Sequence, residues 1–178
     1  SAPLSDSANW PRLVQLAWAL YDGSGRRVSG EEHLVRPEGF AIPERAFRLH
    51  GITTVRARRR GRPVGEVLGR FLEATASAVD GLVGHNVAYD RSVVGAELCR
   101  LGFPEEHVRR LFASRPFFCT MHGTTALCRL PGGKGSYKYP TLEELHRSLF
   151  GEPAWPKRSG GAAVEACARC FFRLKEAA

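Results

Sequence analysis

A chain of 178 residues in which 43% are apolar has enough hydrophobic material for one packed core, which excludes a disordered or fibrous protein. Lys and Arg number 26 against 18 Asp and Glu, and the resulting formal charge of +8 suits a polyanionic partner or, equally, a solvated basic face. No apolar run reaches the ~18 residues that a bilayer requires and no charged-then-apolar leader opens the chain, so no membrane association is expected.

In chain order, residues 1–11 are polar, contain Pro3 and Pro11, and read as a loop. Leu13 to Tyr21 is an apolar run of strand length, the turn Asp22-Gly23-Ser24-Gly25 follows, and a second strand is expected over 27–36, making a hairpin at one edge of a sheet. A short helix starts near Ile42 with Pro43 in its first turn and stops at Gly51. The cluster Arg56, Arg58, Arg59, Arg60 and Arg62 reads either as a contact to a nucleic-acid backbone or as a solvated connector between two helices. Val64, Val67, Leu68, Phe71, Leu72, Thr75 and Val79 then recur at three and four and predict an amphipathic helix.

Leu82-Val83-Gly84 reads as a buried strand running straight into a helix that carries Val93, Val94, Leu98 and Leu101. Asp90 falls one residue into that helix, just past the carboxyl end of the strand, where open α/β sheets place their ligands. A short basic helix is expected to run to Ala113, Phe117 to Thr120 reads as a further short strand, and a helix follows through Leu127. The loop from Pro131 to Pro140 lacks phosphate-cradle spacing and has no strand before it; it reads as an exposed loop available to a partner. Thr141 with Glu144 forms a capping box for a helix over 142–150, and a Pro- and Gly-rich connector leads to a last helix with Val164, Cys167, Phe171 and Leu174 on one face. Nothing repeats, so residues 1–178 are read as one domain.

Cys99, Cys119, Cys128, Cys167 and Cys170 are odd in number and scattered through apolar segments, which predicts reduced thiols in a cytoplasmic protein. Cys167 and Cys170 form a C-x-x-C, but the apolar helix around them and the lack of a second ligand pair argue against zinc or redox chemistry.

Five stretches together resemble one family: Trp10 to Trp18, His50-Gly51-Ile52-Thr53, Gly84-His85-Asn86 with Tyr89-Asp90, Phe118 to Met121, and Pro140 to Leu145 with Leu149-Phe150-Gly151. In order and spacing the chain is similar to the DnaQ-like, DEDDh group of 3′–5′ exonucleases, which includes the proofreading epsilon subunit of bacterial DNA polymerase III. The resemblance implies an α/β, ribonuclease-H-like mixed sheet flanked by helices. It also implies phosphodiester hydrolysis at DNA or RNA ends, with two Mg²⁺ or Mn²⁺ ions about 3.5–4 Å apart and a histidine as general base. Asp90 becomes the catalytic metal ligand of the second motif, and His85, Asn86, Tyr89 and Arg158 take places on the nucleic acid. Nucleic acid is the expected partner, with a polymerase or another protein beside it.

The chain departs from the family twice. No Asp-x-Glu precedes residue 80, although relatives carry it on a central strand; either that strand lies upstream of Ser1 or another segment fills its place. In the last motif Arg158 occupies the general-base position and Ala163 the metal-ligand position. Arginine stays protonated and takes no proton from water, and alanine holds no metal. Glu165 is two residues from Ala163, about 200° around a helix, and points away from that face. The expectation is an impaired exonuclease or, as the alternative, a non-catalytic module that binds nucleic acid or protein.

Overall fold

The computed structural model describes residues 3–6, 8–76, 80–153 and 159–177. Among these residues four strands form two separate ladders. β1 (Gln15–Tyr21) pairs antiparallel with β2 (Arg27–Leu34), in a register from Gln15↔Leu34 to Leu20↔Ser29 that shifts at Tyr21. β3 (Leu82–Gly84) pairs parallel with β4 (Phe117–Cys119). No ladder joins the two among the described residues.

Both ladders occupy one layer because helices cover them from the same two sides. α3 (Val64–Ala76) packs on β1, and α4 (Val87–Arg100) packs on β3 and β4. α9 (Gly160–Glu176) packs on β1, β2 and β3. Strand alternation shows that α9 takes the opposite face. Leu16 and Trp18 of β1 join the core with Val67, Leu68, Val94 and Leu98, and Trp18 meets the Phe71 ring edge-on at 5.6 Å. Tyr21 instead meets Phe172 of α9, and Ala17 lies against Gly160. The result is a mixed α/β, ribonuclease-H-like fold whose sheet is divided between β1 and β3.

Full burial of Val67 and Leu68 contributes about 1.5–3 kcal/mol each, which explains why the three-and-four repeat of α3 forms a helix. Glu97, buried in α4, fixes the entry to β1: its Oε1 accepts from Arg12 Nε at 2.9 Å and from the Leu13 N–H at 2.9 Å, and ion-pairs with Arg100 at 3.1 Å.

Four elements differ from the sequence reading, the first being β3, expected to be buried but with Leu82 and Gly84 only half-buried and Val83 exposed. The arginine cluster is not a connector: α1 (Glu44–His50) ends at Gly51, and residues 54–60 form their own helix, α2 (Thr54–Arg60). Thr53 caps α2 by accepting from the Arg56 N–H, and that capping signal lay hidden beside five arginines. The helix after β3 begins at Val87, so Asp90 stands in its first turn and not one residue in. The segment after β4 is two short turns, α6 (Thr120–Gly123) and α7 (Thr125–Cys128), following α5 (Glu105–Ala113). α8 (Leu142–Phe150) carries the expected capping box, with both hydrogen bonds between Thr141 and Glu144 formed.

All five cysteines are free; Cys167 and Cys170 are buried, and the other three are half-buried. Burial pushes the Cys167 thiol up to about 11 and the Cys170 thiol up to about 12, so both stay protonated at neutral pH. No helix among the described residues is long and apolar enough to cross a membrane.

Candidate nucleic-acid site around Asp90

The turn from β3 into α4 sets the site. Asn86 adopts a left-handed backbone with φ of 73°, a conformation that Asn accepts more readily than other non-glycine residues, and it lets the chain reverse from strand to helix at once. Its side chain makes no capping hydrogen bond. Tyr89 is 48% exposed and stands beside Asp90 in the first turn of α4.

Asp90 is exposed, yet the protein packed around it is dense enough that burial pushes its carboxyl up to about 6 from the usual 3.8. No hydrogen bond or ion pair reaches that carboxylate among the described residues. An unpaired, up-shifted acid at a strand's carboxyl end is the kind of group that functional sites hold.

His85 faces inward. Its Nε2 lies 2.9 Å from the Pro140 carbonyl and its Nδ1 lies 2.9 Å from Thr120 Oγ1. A carbonyl only accepts, so Nε2 carries the proton and Nδ1 takes the Thr120 hydroxyl hydrogen. Burial lowers the His85 pKa, which keeps the ring in this neutral form. The ring therefore ties the end of β3 to α6 and to the carbonyl of Pro140, just before α8.

Thr120 extends the same network to α9, with Oγ1 at 3.6 Å from Cys167 Sγ. The Cys167 thiol is raised first by burial and also by the negative charge of Asp90, so this part of α9 and Asp90 are electrostatic neighbours. Ala163 lies one turn before Cys167 on the same face of α9. Glu165 turns elsewhere: with Tyr21, Arg27 and Glu32 it lines a cavity of about 270 Å³ on the β1–β2 side. Arg158 lies outside the described residues.

The N-terminus of α9 carries an internal anion. Glu32 of β2 accepts from the N–H groups of Gly160 at 3.1 Å and Gly161 at 3.0 Å, and from Gln15 Nε2 at 2.6 Å. No group of three His, Cys, Asp or Glu side chains suited to a metal ion exists among the described residues. Asp90 alone, with Ala163 on the facing helix, does not fit a two-metal site; a single carboxylate could share a magnesium ion only with phosphates of a bound ligand.

A second feature at this turn had no signal in the sequence. The Cys119 thiol closes β4, where burial pushes it up but the N–H groups of His122, Val87, Asn86 and Met121 outweigh that effect and leave it below its ordinary value.

No family model matches the sequence, and no curated protein matches it either. Among solved structures, the chain is similar to product-bound exonuclease I, with a TM-score of 0.74, 17% identity, and coverage of 92% of this chain and 39% of that one. It is also similar to E. coli exonuclease I in complex with a dA16 oligonucleotide (TM-score 0.73, 16% identity, 92% of this chain and 36% of that one). A third neighbour, E. coli exonuclease I in complex with a dT13 oligonucleotide, gives a TM-score of 0.70 and 17% identity over 99% of this chain and 38% of that one. The chain thus has the fold of exonuclease I and spans under two fifths of the length of these neighbours.

Proposed function

We propose that this chain is a 3′–5′ exonuclease-family domain that holds a DNA or RNA end beside Asp90 and is impaired in hydrolysing it. The observation that carries the reading is the Asp90 carboxylate: among the described residues no hydrogen bond or ion pair reaches it, burial raises its pKa to about 6, and it belongs to no group of three metal-ligating side chains. Hydrolysis needs an in-line water and charge neutralisation on the phosphate, and one carboxylate supplies little of either. Binding needs less. Asn86 and Tyr89 beside Asp90 offer an amide and an aromatic face, and the net charge of +8 favours a polyanion. The oligonucleotides bound to the exonuclease I neighbours support nucleic acid as the ligand. The motif Gly84-His85-Asn86 with Tyr89-Asp90 supports the finer placement with DEDDh, epsilon-like members.

A time course on end-labelled single-stranded DNA and RNA, with Mg²⁺ or Mn²⁺ and beside an Asp90→Ala protein prepared identically, tests this. Retention of the oligonucleotide without a ladder of shortened products is the expected result. A ladder that disappears in Asp90→Ala would show that the site assembles and that the impairment is wrong.

The divided sheet favours a second reading. Among the described residues β1 and β3 each pair along one edge only, so an extended segment from a longer chain or from a partner such as a polymerase has two edges to join. If that segment carried carboxylates it would bring them next to Asp90, and activity would depend on it. Cleavage that appears only when such a segment is added, and that still requires Asp90, distinguishes this reading from the first.

A further inference from the structure

We propose that the groove between α2 and the end of β2 is a second binding surface, one that grips the phosphate backbone of a nucleic acid away from its end. This rests on the nucleic-acid reading above and extends it to a site the exonuclease resemblance does not assign.

The groove has a volume of about 460 Å³ and is lined by Gln15, Glu32, His33, Leu34, Arg56, Arg60 and Arg62. Its walls are fixed by the backbone. The Arg62 N–H donates to the Leu34 carbonyl at 2.9 Å, and the Arg36 N–H donates to the Arg62 carbonyl at 2.8 Å, so the end of α2 is stitched to the end of β2. Gly61 permits this approach: a Cβ there would meet the Ala57 carbonyl at 2.3 Å and the Arg36 nitrogen at 2.6 Å. The arginines are therefore held on a rigid wall.

Their charge is available. Arg56 and Arg60 stand one turn apart on one face of α2, about 6 Å along the axis, and neither meets a carboxylate among the described residues. Arg62 pairs with Glu66, a contact at the exposed rim that water screens. The one acid in the lining, Glu32, is engaged by Gln15 and by the N–H groups of Gly160 and Gly161. Two guanidinium groups on one helix face repel each other unless an anion lies between them. A chain of phosphates satisfies both, since the planar fork of each arginine takes two phosphate oxygens at once. The lining has only Leu34 as an aliphatic side chain, so it offers no pocket for an apolar ligand.

The test is a fluorescence titration of labelled oligo(dT) across a range of salt, on the wild-type chain, on Arg56→Gln/Arg60→Gln, and on Arg59→Gln, which leaves the groove intact. Each lost phosphate contact on a single strand flattens the log–log salt slope by about 0.7, so the double variant is expected to lose about 1.4 and, at about 0.1 M salt, roughly 25-fold in affinity. Arg59→Gln should leave the slope as it is. If the double variant binds like wild type, or if Arg59→Gln flattens the slope as much per charge, the groove is not a site. If the wild-type chain does not bind oligo(dT) at all, the nucleic-acid reading itself falls, and circular dichroism of all three proteins separates that result from misfolding.

Discussion

Thr120 Oγ1 stands 2.9 Å from Nδ1 of His85 and 3.2 Å from the Gly84 carbonyl, with the threonine fully buried and the imidazole half-buried next to the turn that carries Asp90. Replacing Thr120 by Val keeps the shape and leaves Nδ1 without a donor. A buried acceptor stripped of its partner costs about 1–3 kcal/mol, so Thr120→Val should lower the denaturation midpoint accordingly, measured by urea melts. Oligonucleotide affinity should fall further than a control of equal stability loss in α8, because the turn itself loosens.

The Asp90 carboxyl carries a sign that can be checked. Its folded pKa of about 6 lies above the usual 3.8, so between those values the folded state holds a proton that the unfolded state has released. This group therefore subtracts stability as pH rises from about 4 to about 6, and the loss is complete above that window. The full shift corresponds to ~3 kcal/mol, but the carboxylate touches solvent, and screening leaves about 1 kcal/mol. Asp90→Asn should be more stable than wild type by about that amount near pH 7.5 and no more stable near pH 3.5, by calorimetry at both pH values.

Cys119 should react before the C-x-x-C pair. Four backbone N–H groups hold its thiol below the ordinary value, whereas Cys167 and Cys170 are pushed up to about 11 and about 12. Peptide mapping after brief iodoacetamide treatment at neutral pH is expected to find the label at Cys119 well before the C-x-x-C pair. Equal labelling of Cys119 and Cys167 would contradict the geometry.

Gly61 is expected to tolerate no side chain. Its added Cβ would meet backbone atoms of Ala57, Arg36 and Val35 at 2.3, 2.6 and 2.8 Å, none of which can rotate aside. Gly61→Ala should cost about 1–3 kcal/mol in a thermal melt, while a substitution at Gly39, which has open space but a φ of 75°, tests backbone strain without collision.

The local parts of this fold were legible because they rest on short-range rules. The β1–β2 hairpin follows from an apolar run and a Gly-rich turn, and α8 follows from Thr141 and Glu144 three residues apart. Asp90 was legible from the sharp strand-to-helix turn at Asn86, whose left-handed φ explains why an Asn stands there. What sequence reasoning missed depends on distant partners. His85 is held by residues 35 and 55 positions away, and the Cys119 thiol is surrounded by N–H groups from two helix starts that spacing does not bring together. α2 was missed for another reason: five arginines suggest solvent, although Ala57 is fully buried on the helix's inner face.

The division of the sheet also leaves a mark on individual amides. The Val35 N–H donates to the Val14 carbonyl, which sets the phase of the ladder: Leu16, Trp18 and Leu20 turn their amides toward β2, and Gln15, Ala17 and Ala19 turn theirs to the open side. In deuterated water β1 should exchange in a striped pattern, slow and fast on alternate residues, where a strand paired on both edges would be slow throughout. A segment that fills the opening would erase the stripes, so the isotope pattern of seven consecutive residues reports whether the sheet is divided or whole.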